Sequence, residues 1–83
     1  METPITPGIL ARNGFEHREW DYDLDRFDQW NLQGCGKTVT INRRKSGEWM
    51  DVRCGGNISW DIKTVEGLQE FMRASGADKE III

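Results

Sequence analysis

Two helix-boundary signatures near the ends of the chain constrain its fold more than any other feature of the sequence. Near the start, Thr6 can cap a helix whose first residue is Pro7, where the missing N–H removes no hydrogen bond. Gly14 can then end that helix in the left-handed conformation. Near the end, Thr64 and Gly76 bracket a second, longer helix in the same way. The apolar residues of that helix fall on one stripe, made by Val65, Leu68, Phe71 and Met72.

Alternation of apolar and polar residues between these signatures predicts strands. One segment runs from Trp20 to Asp25, a hairpin fits residues 37–54, and a further strand fits residues 58–63. In the first segment three acids share one side, which predicts a solvated edge strand; they are Asp21, Asp23 and Asp25. We therefore expect one α+β domain, residues 1–83. It has a mainly antiparallel sheet of three to five strands, a short N-terminal helix, and a longer C-terminal helix packed on one face.

The register of the hairpin is predicted by the pairing of its apolar residues. A four-residue loop at 44–47 places Ile41 opposite Met50 and Val39 opposite Val52, so that the apolar pairs share one face. The other face of the hairpin then carries polar residues together with Trp49 and Arg53. The pattern does not decide which face the second helix covers, so this face is either an exposed binding surface or is covered by that helix, which would bury Trp49.

Composition and charge argue against several classes of protein. With 83 residues and a net charge of −3, the chain is one small domain and not a strongly basic nucleic-acid binder. No segment approaches the ~20 apolar residues of a membrane span, and the first residues do not resemble a signal peptide. We therefore expect a cytoplasmic protein that does not bind membranes. Two cysteines and one histidine cannot supply a Cys₂His₂ or Cys₃His zinc site within one chain, and we expect no cofactor.

Motifs for catalysis and metal binding are missing from the sequence. An EF-hand loop beginning at Asp21 requires glycine and glutamate where the chain has Arg26 and Leu32. No Gly-rich phosphate loop, nucleophile elbow or zinc-binding helix is present. No recognised motif places a nucleophile or an orienting aspartate beside His17. We therefore expect a protein that is not an enzyme.

Two kinds of binding surface remain as hypotheses. The first is a protein-interaction surface, because Trp and Arg are frequent at interface hot spots and an acidic strand can steer a basic partner. Its candidate residues are Trp30, Trp49 and Arg53, with Asp21, Asp23 and Asp25. The alternative is single-stranded nucleic-acid binding, in which rings stack on bases and cations contact phosphates. Its candidate residues are Arg43, Arg44, Lys45, Trp49 and Arg53. The two other tryptophans, Trp20 and Trp60, fall on apolar faces and are predicted to lie in the core.

The C-terminal tail, residues 78–83, ends in three isoleucines and is too apolar to remain free in water. We expect it to pair with a sheet edge or to contact a second copy of the chain, which would give a homodimer.

Both end segments resemble a family of small uncharacterised proteins common in gut Bacteroidetes and in their prophages and mobile elements. That family opens with Thr-Pro-x-Ile-Leu and Asn-Gly-Phe, and closes with a Val-x-x-Leu-Gln helix, a glycine and Lys-Glu-Ile. The matching residues are Thr6, Pro7, Ile9, Leu10, Asn13, Gly14, Phe15, Val65, Leu68, Gln69, Gly76, Lys79, Glu80 and Ile81. Family members often carry histidine where this chain has Glu66 and Glu70, so no histidine-based site is implied in the second helix. The resemblance implies an α+β layout and a phage-like or mobile-element context.

Overall fold

The computed structural model describes residues 2–22, 25–33 and 36–83, apart from the side chains of Tyr22 and Asp25. In the part of the chain so described, two helices and an antiparallel sheet of five strands form an α+β fold, which confirms the predicted class. The strands lie in the sheet in chain order. The elements are α1 (Pro7–Arg12), β1 (Glu16–Tyr22), β2 (Asp25–Leu32), β3 (Val39–Arg44), β4 (Trp49–Cys54), β5 (Asn57–Ser59) and α2 (Val65–Ala74).

Both helices begin and end where the sequence predicts, because their capping groups are built into the chain. Each has a threonine N-cap that accepts a backbone N–H, and a glycine at positive φ directly after its C-cap. These residues are Thr6 and Gly14 for α1, and Thr64 and Gly76 for α2. Within the described residues, no helix is long and apolar enough to cross a membrane.

Side chains alternate between the two faces of the sheet, and both helices pack on the same face. On this helix face, buried strand residues form one core with apolar residues of α1 and α2. The strand residues of the core are Trp30, Leu32, Val39, Ile41, Val52 and Cys54. The opposite face, which we call the open face, presents polar side chains from the same strands: Gln29, Asn31, Thr40, Asn42, Asp51 and Arg53. The helices therefore leave one whole side of the sheet for other contacts.

The hairpin of β3 and β4 contains a β-bulge. Ile41 pairs with Val52, and Arg43 pairs with Trp49. The two pairs are two residues apart along β3 but three residues apart along β4. Between these pairs, one residue of β3 therefore faces two residues of β4. The two are Met50 and Asp51, opposite Asn42.

The register predicted from the sequence is wrong for two reasons: the loop is one residue longer than the predicted 44–47, so that Arg43 pairs with Trp49, and the bulge adds a second residue to β4. The four-residue loop put Val39 opposite Val52, whereas Cys54 lies there. An extra residue in one strand reverses the face of every residue beyond it, and the prediction assumed uninterrupted alternation. Because the longer loop pairs Trp49 with Arg43, Trp49 lies on the helix face, where it packs against the core, while Arg53 lies on the open face.

The acidic segment is divided between two strands instead of forming one. β1 lies at an edge of the sheet, as predicted, but the chain has already entered β2 at Asp25, which pairs with Tyr22. Asp21 lies opposite Arg26 in the same ladder, and Asp23 lies outside the described residues. The predicted single strand with three aspartates on one side is therefore wrong.

The C-terminal tail packs against the helices and does not join a sheet edge, so that part of the prediction is wrong. Gln69 of α2 accepts a hydrogen bond from the Ile81 N–H at 2.6 Å and donates one to the Lys79 carbonyl at 2.8 Å. Asn13, at the end of α1, donates to the Ile82 carbonyl and accepts from the Ile82 N–H, both at 2.8 Å. The Ile81 side chain is buried and the two isoleucines after it are exposed. Contact of the tail with a second copy stays a prediction.

Three of the tryptophans, Trp20, Trp30 and Trp60, lie in places other than those predicted. Trp30 is only 4% exposed and belongs to the core, whereas Trp60 is 62% exposed. Trp20 is half-buried on the open face, opposite Phe27 of β2. The hydrophobic pattern around Trp60 resembles that of a half-buried strand, but β5 ends at Ser59, one residue before this side chain.

Candidate functional site

A row of hydrogen-bonded polar side chains, which we call the polar ladder, crosses the open face from β1 to β4. The Trp20 indole N–H donates to Gln29 Oε1 at 3.1 Å, and Gln29 Nε2 donates to Asn42 Oδ1 at 3.1 Å. Asn42 Nδ2 donates to Asp51 Oδ1 at 3.1 Å, and Arg53 Nε donates to Asp51 Oδ2 at 2.8 Å. Each side chain is held by its neighbours, so the ladder is preorganised.

A shorter row runs beside the ladder and completes a shallow depression. Thr40 Oγ1 donates to Asn31 Oδ1 at 2.8 Å, and Asn31 Nδ2 donates to Gln29 Oε1 at 3.1 Å. The depression has a volume of about 330 Å³. It is lined by Phe27, Gln29, Asn31, Thr40, Asn42 and Arg53. These residues provide amide and hydroxyl groups that can form hydrogen bonds, and one aromatic ring. Such a lining suits the polar surface of a ligand or partner.

The buried Asp51 carboxylate fixes the direction of Arg53. Asp51 is only 3% exposed, and each of its two oxygens accepts a hydrogen bond. A buried charge of this kind is stable only when it is paired, and here the partner is the half-exposed Arg53 guanidinium. Among the described residues, Asp51 engages Nε of Arg53, and the side chain is 57% exposed, so the other N–H groups of the guanidinium are accessible to a partner.

Two large exposed apolar side chains lie in and just after β5, the edge strand next to Arg53. Ile58 pairs with Arg53 and is 49% exposed, and Trp60 follows two residues later. Large apolar groups exposed next to an ordered arginine are typical of interaction surfaces. We refer to Arg53, Ile58 and Trp60 as the edge patch.

A second concentration of functional groups, which we call the charged cluster, lies where β1, β2 and the β3–β4 loop meet. His17 Nε2 is 2.9 Å from Asp28 Oδ1, and Lys45 Nζ is 2.8 Å from the same oxygen. Lys45 Nζ is also 3.5 Å from Glu19 Oε1. The His17 ring stacks on Trp30 with 4.8 Å between the ring centroids, which joins the cluster to the edge of the core.

The charges of this cluster shift two pKa values. Partial burial raises the pKa of Asp28, but hydrogen bonds from Lys45 and His17 and their positive charges lower it by more, so the net pKa lies below 3.8. The pKa of Lys45 is raised above 10.5, mainly by its hydrogen bond to Asp28. Both shifts favour the ionised pair.

The tryptophan and arginine predicted to act together are separated by the sheet. Trp49 lies on the helix face, where its ring is 5.5 Å from that of Trp30 and the Arg43 guanidinium lies 4.8 Å above it. Arg53 points from the open face. The prediction that Trp49 and Arg53 share one surface is therefore wrong, and the burial of Trp30 removes it from any exposed surface.

The basic residues predicted to form one spot at the hairpin tip are also divided. Arg43 covers Trp49 and donates to the Gly47 carbonyl, and Lys45 belongs to the charged cluster. Arg44 lies 4.0 Å from Glu48. Each of the three cations therefore has its own acceptor or ring as a partner.

Of the acids proposed for partner steering, Asp21 is exposed and bonded to Arg26 at 3.1 Å. Asp23 and the Asp25 side chain fall outside the described residues.

Sequence reasoning missed the polar ladder because it missed β2. A usable signal was present, since Gln29 and Asn31 alternate with Trp30 and Leu32, the pattern of a strand with one apolar and one polar side. The joining of these amides to Asn42 and Asp51 depends on the order of the strands and on the bulge. Neither is specified by the local pattern.

Comparison with known proteins adds no relative to this description: no protein-family model, no curated protein and no solved structure matches the chain.

Proposed function

We propose that this chain is a non-catalytic protein-interaction module that binds its partner through the open face, with the edge patch at the centre of the contact. The observation that carries the proposal is the pairing of the exposed Ile58 with an arginine fixed by a buried carboxylate, with the exposed Trp60 two residues further along the chain. Trp and Arg dominate the binding energy of protein interfaces when they are central and desolvated.

The polar ladder supports the proposal because it reduces the entropy lost on binding. Amides that are already ordered need not lose rotamer freedom when a partner arrives, and ordering costs about 0.5–1.5 kcal/mol for each mobile side chain at an interface. A central patch with apolar and guanidinium groups, beside a satisfied polar surface, matches the division of protein interfaces into core and rim.

Single-stranded nucleic acid is the second candidate for the same face. The observation in its favour is an aromatic pair at the other end of the open face, where the Trp20 and Phe27 rings stack with 6.5 Å between centroids. The net charge of −3 weighs against it, because nucleic-acid affinity comes largely from neutralised phosphates. We therefore place this candidate second.

The biological context of the proposal comes from the resemblance of the end segments. A phage- or mobile-element-derived adaptor acting in the cytoplasm would need a stable, small scaffold with one free face. This context supplies a source of lysate for the experiment.

The experiment is affinity capture from a Bacteroidetes lysate with three baits: the wild-type chain, Trp60→Ser, and Ile83→Ser as a matched control. The exposed fraction of Ile83, 63%, matches the 62% of Trp60, but Ile83 lies on the tail. We expect a protein captured by the wild type and by Ile83→Ser, with and without nuclease, and lost with Trp60→Ser. Capture that disappears on nuclease treatment would favour the nucleic-acid alternative, and equal capture by all three baits would contradict both.

A further inference from the structure

We infer that the charged cluster is a binding site for a divalent transition-metal cation, with His17, Glu19 and Asp28 as its ligands. One ligand atom from each of these side chains lies within 4.8 Å of the other two. The inference is independent of the interaction proposed for the open face, since all three residues project from the helix face.

The sheet itself brings the three ligands together. Glu19 and Asp28 are directly opposite in the β1–β2 ladder, and His17 is two residues from Glu19 on the same side of β1. Facing and diagonal neighbours across two strands are close enough for their side chains to meet at one point. Stacking on Trp30 restricts the imidazole ring and holds it beside the Asp28 carboxylate.

A cation already lies between the two carboxylates, in the form of the Lys45 ammonium. Its Nζ is 2.8 Å from Asp28 and 3.5 Å from Glu19, and the Lys45 side chain is 43% exposed on the β3–β4 loop. The position therefore attracts positive charge, and its present occupant is a flexible side chain that can move into solvent. A metal ion would take the place of this ammonium.

The ligand set selects the class of metal. One imidazole nitrogen and two carboxylate oxygens suit Zn²⁺ and neighbouring first-row ions, whereas Mg²⁺ and Ca²⁺ prefer oxygen alone. Metal–ligand bonds of about 2.0–2.2 Å place neighbouring ligand atoms of a tetrahedral zinc site about 3.3 Å apart. The 2.9 Å between His17 Nε2 and Asp28 Oδ1 is close to that spacing, so among the ligands the largest movement is required of the exposed Glu19.

Lys45 acts on this site as an internal competitor. The metal must displace the ammonium and open the His17–Asp28 hydrogen bond, so removal of the lysine charge should strengthen metal binding. Loss of a ligand should have the opposite effect. This opposite pair of effects separates a real site from nonspecific binding to surface acids.

The test is titration of Zn²⁺ into the full chain, followed by NMR of the imidazole signals and by calorimetry, with Mg²⁺ as the control ion. His17 is the single histidine of the chain, so shifted imidazole signals have one source. The variants are His17→Ala, Asp28→Asn and Lys45→Met. Asp21→Asn, on the same strand outside the cluster, is the matched control, and Cys35→Ser controls for zinc binding by that thiol.

We expect Zn²⁺, but not Mg²⁺, to shift the His17 ring signals. His17→Ala and Asp28→Asn should weaken binding at least about tenfold, as losses around a metal site do. Lys45→Met should tighten it about tenfold, because it removes a unit charge from the place of the ion. Asp21→Asn and Cys35→Ser should bind like the wild type. Unshifted His17 signals at millimolar zinc, or an affinity indifferent to Lys45→Met, would overturn the inference.

Discussion

At the scale of single residues, two aspartates show how this sheet accommodates charge. Asp51 is buried in the polar ladder and shares its two oxygens between Asn42 and Arg53. Asp28 is partly buried at the other face and accepts from both Lys45 and His17. In each case the cost of partial desolvation is offset by charged and neutral donors, which is the condition for retaining a carboxylate at such a position. Sequence reasoning assigned no role to either, because Asn42 and His17 reach them from other strands and Lys45 reaches Asp28 from a loop distant in sequence.

Asp28 gives a prediction for the pH dependence of stability. A carboxylate whose pKa is lowered in the folded state contributes stability above the unfolded pKa, and this contribution is lost as the pH falls through the lower, folded pKa. We therefore expect the wild type to be more stable than Asp28→Asn at about pH 6, with a difference that shrinks below about pH 4. Urea unfolding of both proteins across this range measures it. Asp21→Asn, which removes an exposed ion pair, should show little of this dependence. A difference between wild type and Asp28→Asn that does not change with pH would contradict the account.

At the scale of elements, the helices were predictable and the strand pairing was not. The caps Thr6 and Thr64 and the terminating glycines act within a few residues, so the local sequence contains all the interactions that set the helix bounds. The register of β3 and β4 depends on the length of the loop and on the extra residue of the bulge, and the alternation around Ile41 and Val52 is compatible with more than one pairing. The loop length decides the face on which Trp49 lies, and the local pattern does not specify it.

The bulge gives a prediction about deletions. Removing Met50 leaves Asn42 opposite Asp51 and keeps Trp49 and Val52 on the helix face, so the hairpin becomes regular. We expect this deletion to change the free energy of unfolding by about 1 kcal/mol or less. Removing Asn42 instead leaves two residues of β4 without an opposite partner, and should cost about 3 kcal/mol or more. Urea denaturation compares the two variants, and equal losses of stability would show that the bulge is not where the register places it.

The tail gives a second prediction at this scale. The buried Ile81 contributes to the core, while Ile83 is 63% exposed, so Ile81→Ala should lower the free energy of unfolding by about 2 kcal/mol and Ile83→Ala by a few tenths at most. The same pair of variants should differ in hydrogen exchange at the Ile81 and Ile82 amides, which Gln69 and Asn13 protect. Equal stability of both variants would mean that the tail is not docked in solution. A change from the molecular mass of a dimer to that of a monomer in Ile83→Ala alone would favour the homodimer.

At the scale of the whole molecule, the fold is an asymmetric pair of layers. The α+β class and the packing of α2 on one side of the sheet follow from the number and order of amphipathic segments, and the sequence predicts them. The number and order of the segments do not say which side of the sheet stays uncovered. In the structure, the polar ladder and Arg53 lie on the uncovered side, and the predicted binding residues Trp30 and Trp49 lie on the covered side. Arg53 is the one predicted interface residue that the described structure leaves in an exposed, ordered position next to large apolar groups.

The central claim, binding through the open face, is tested most directly by the affinity of the captured partner for two arginine variants. Arg53 lies in the edge patch, and Arg12 is an exposed arginine of α1 on the helix side. We predict that Arg53→Ala weakens binding about 30-fold, the effect of losing a hot-spot residue worth about 2 kcal/mol, while Arg12→Ala leaves the affinity unchanged. Calorimetric titration of the purified partner into both variants and the wild type gives the answer. Full affinity of Arg53→Ala would contradict the account, and a loss confined to Arg12→Ala would place the binding surface on the helix side.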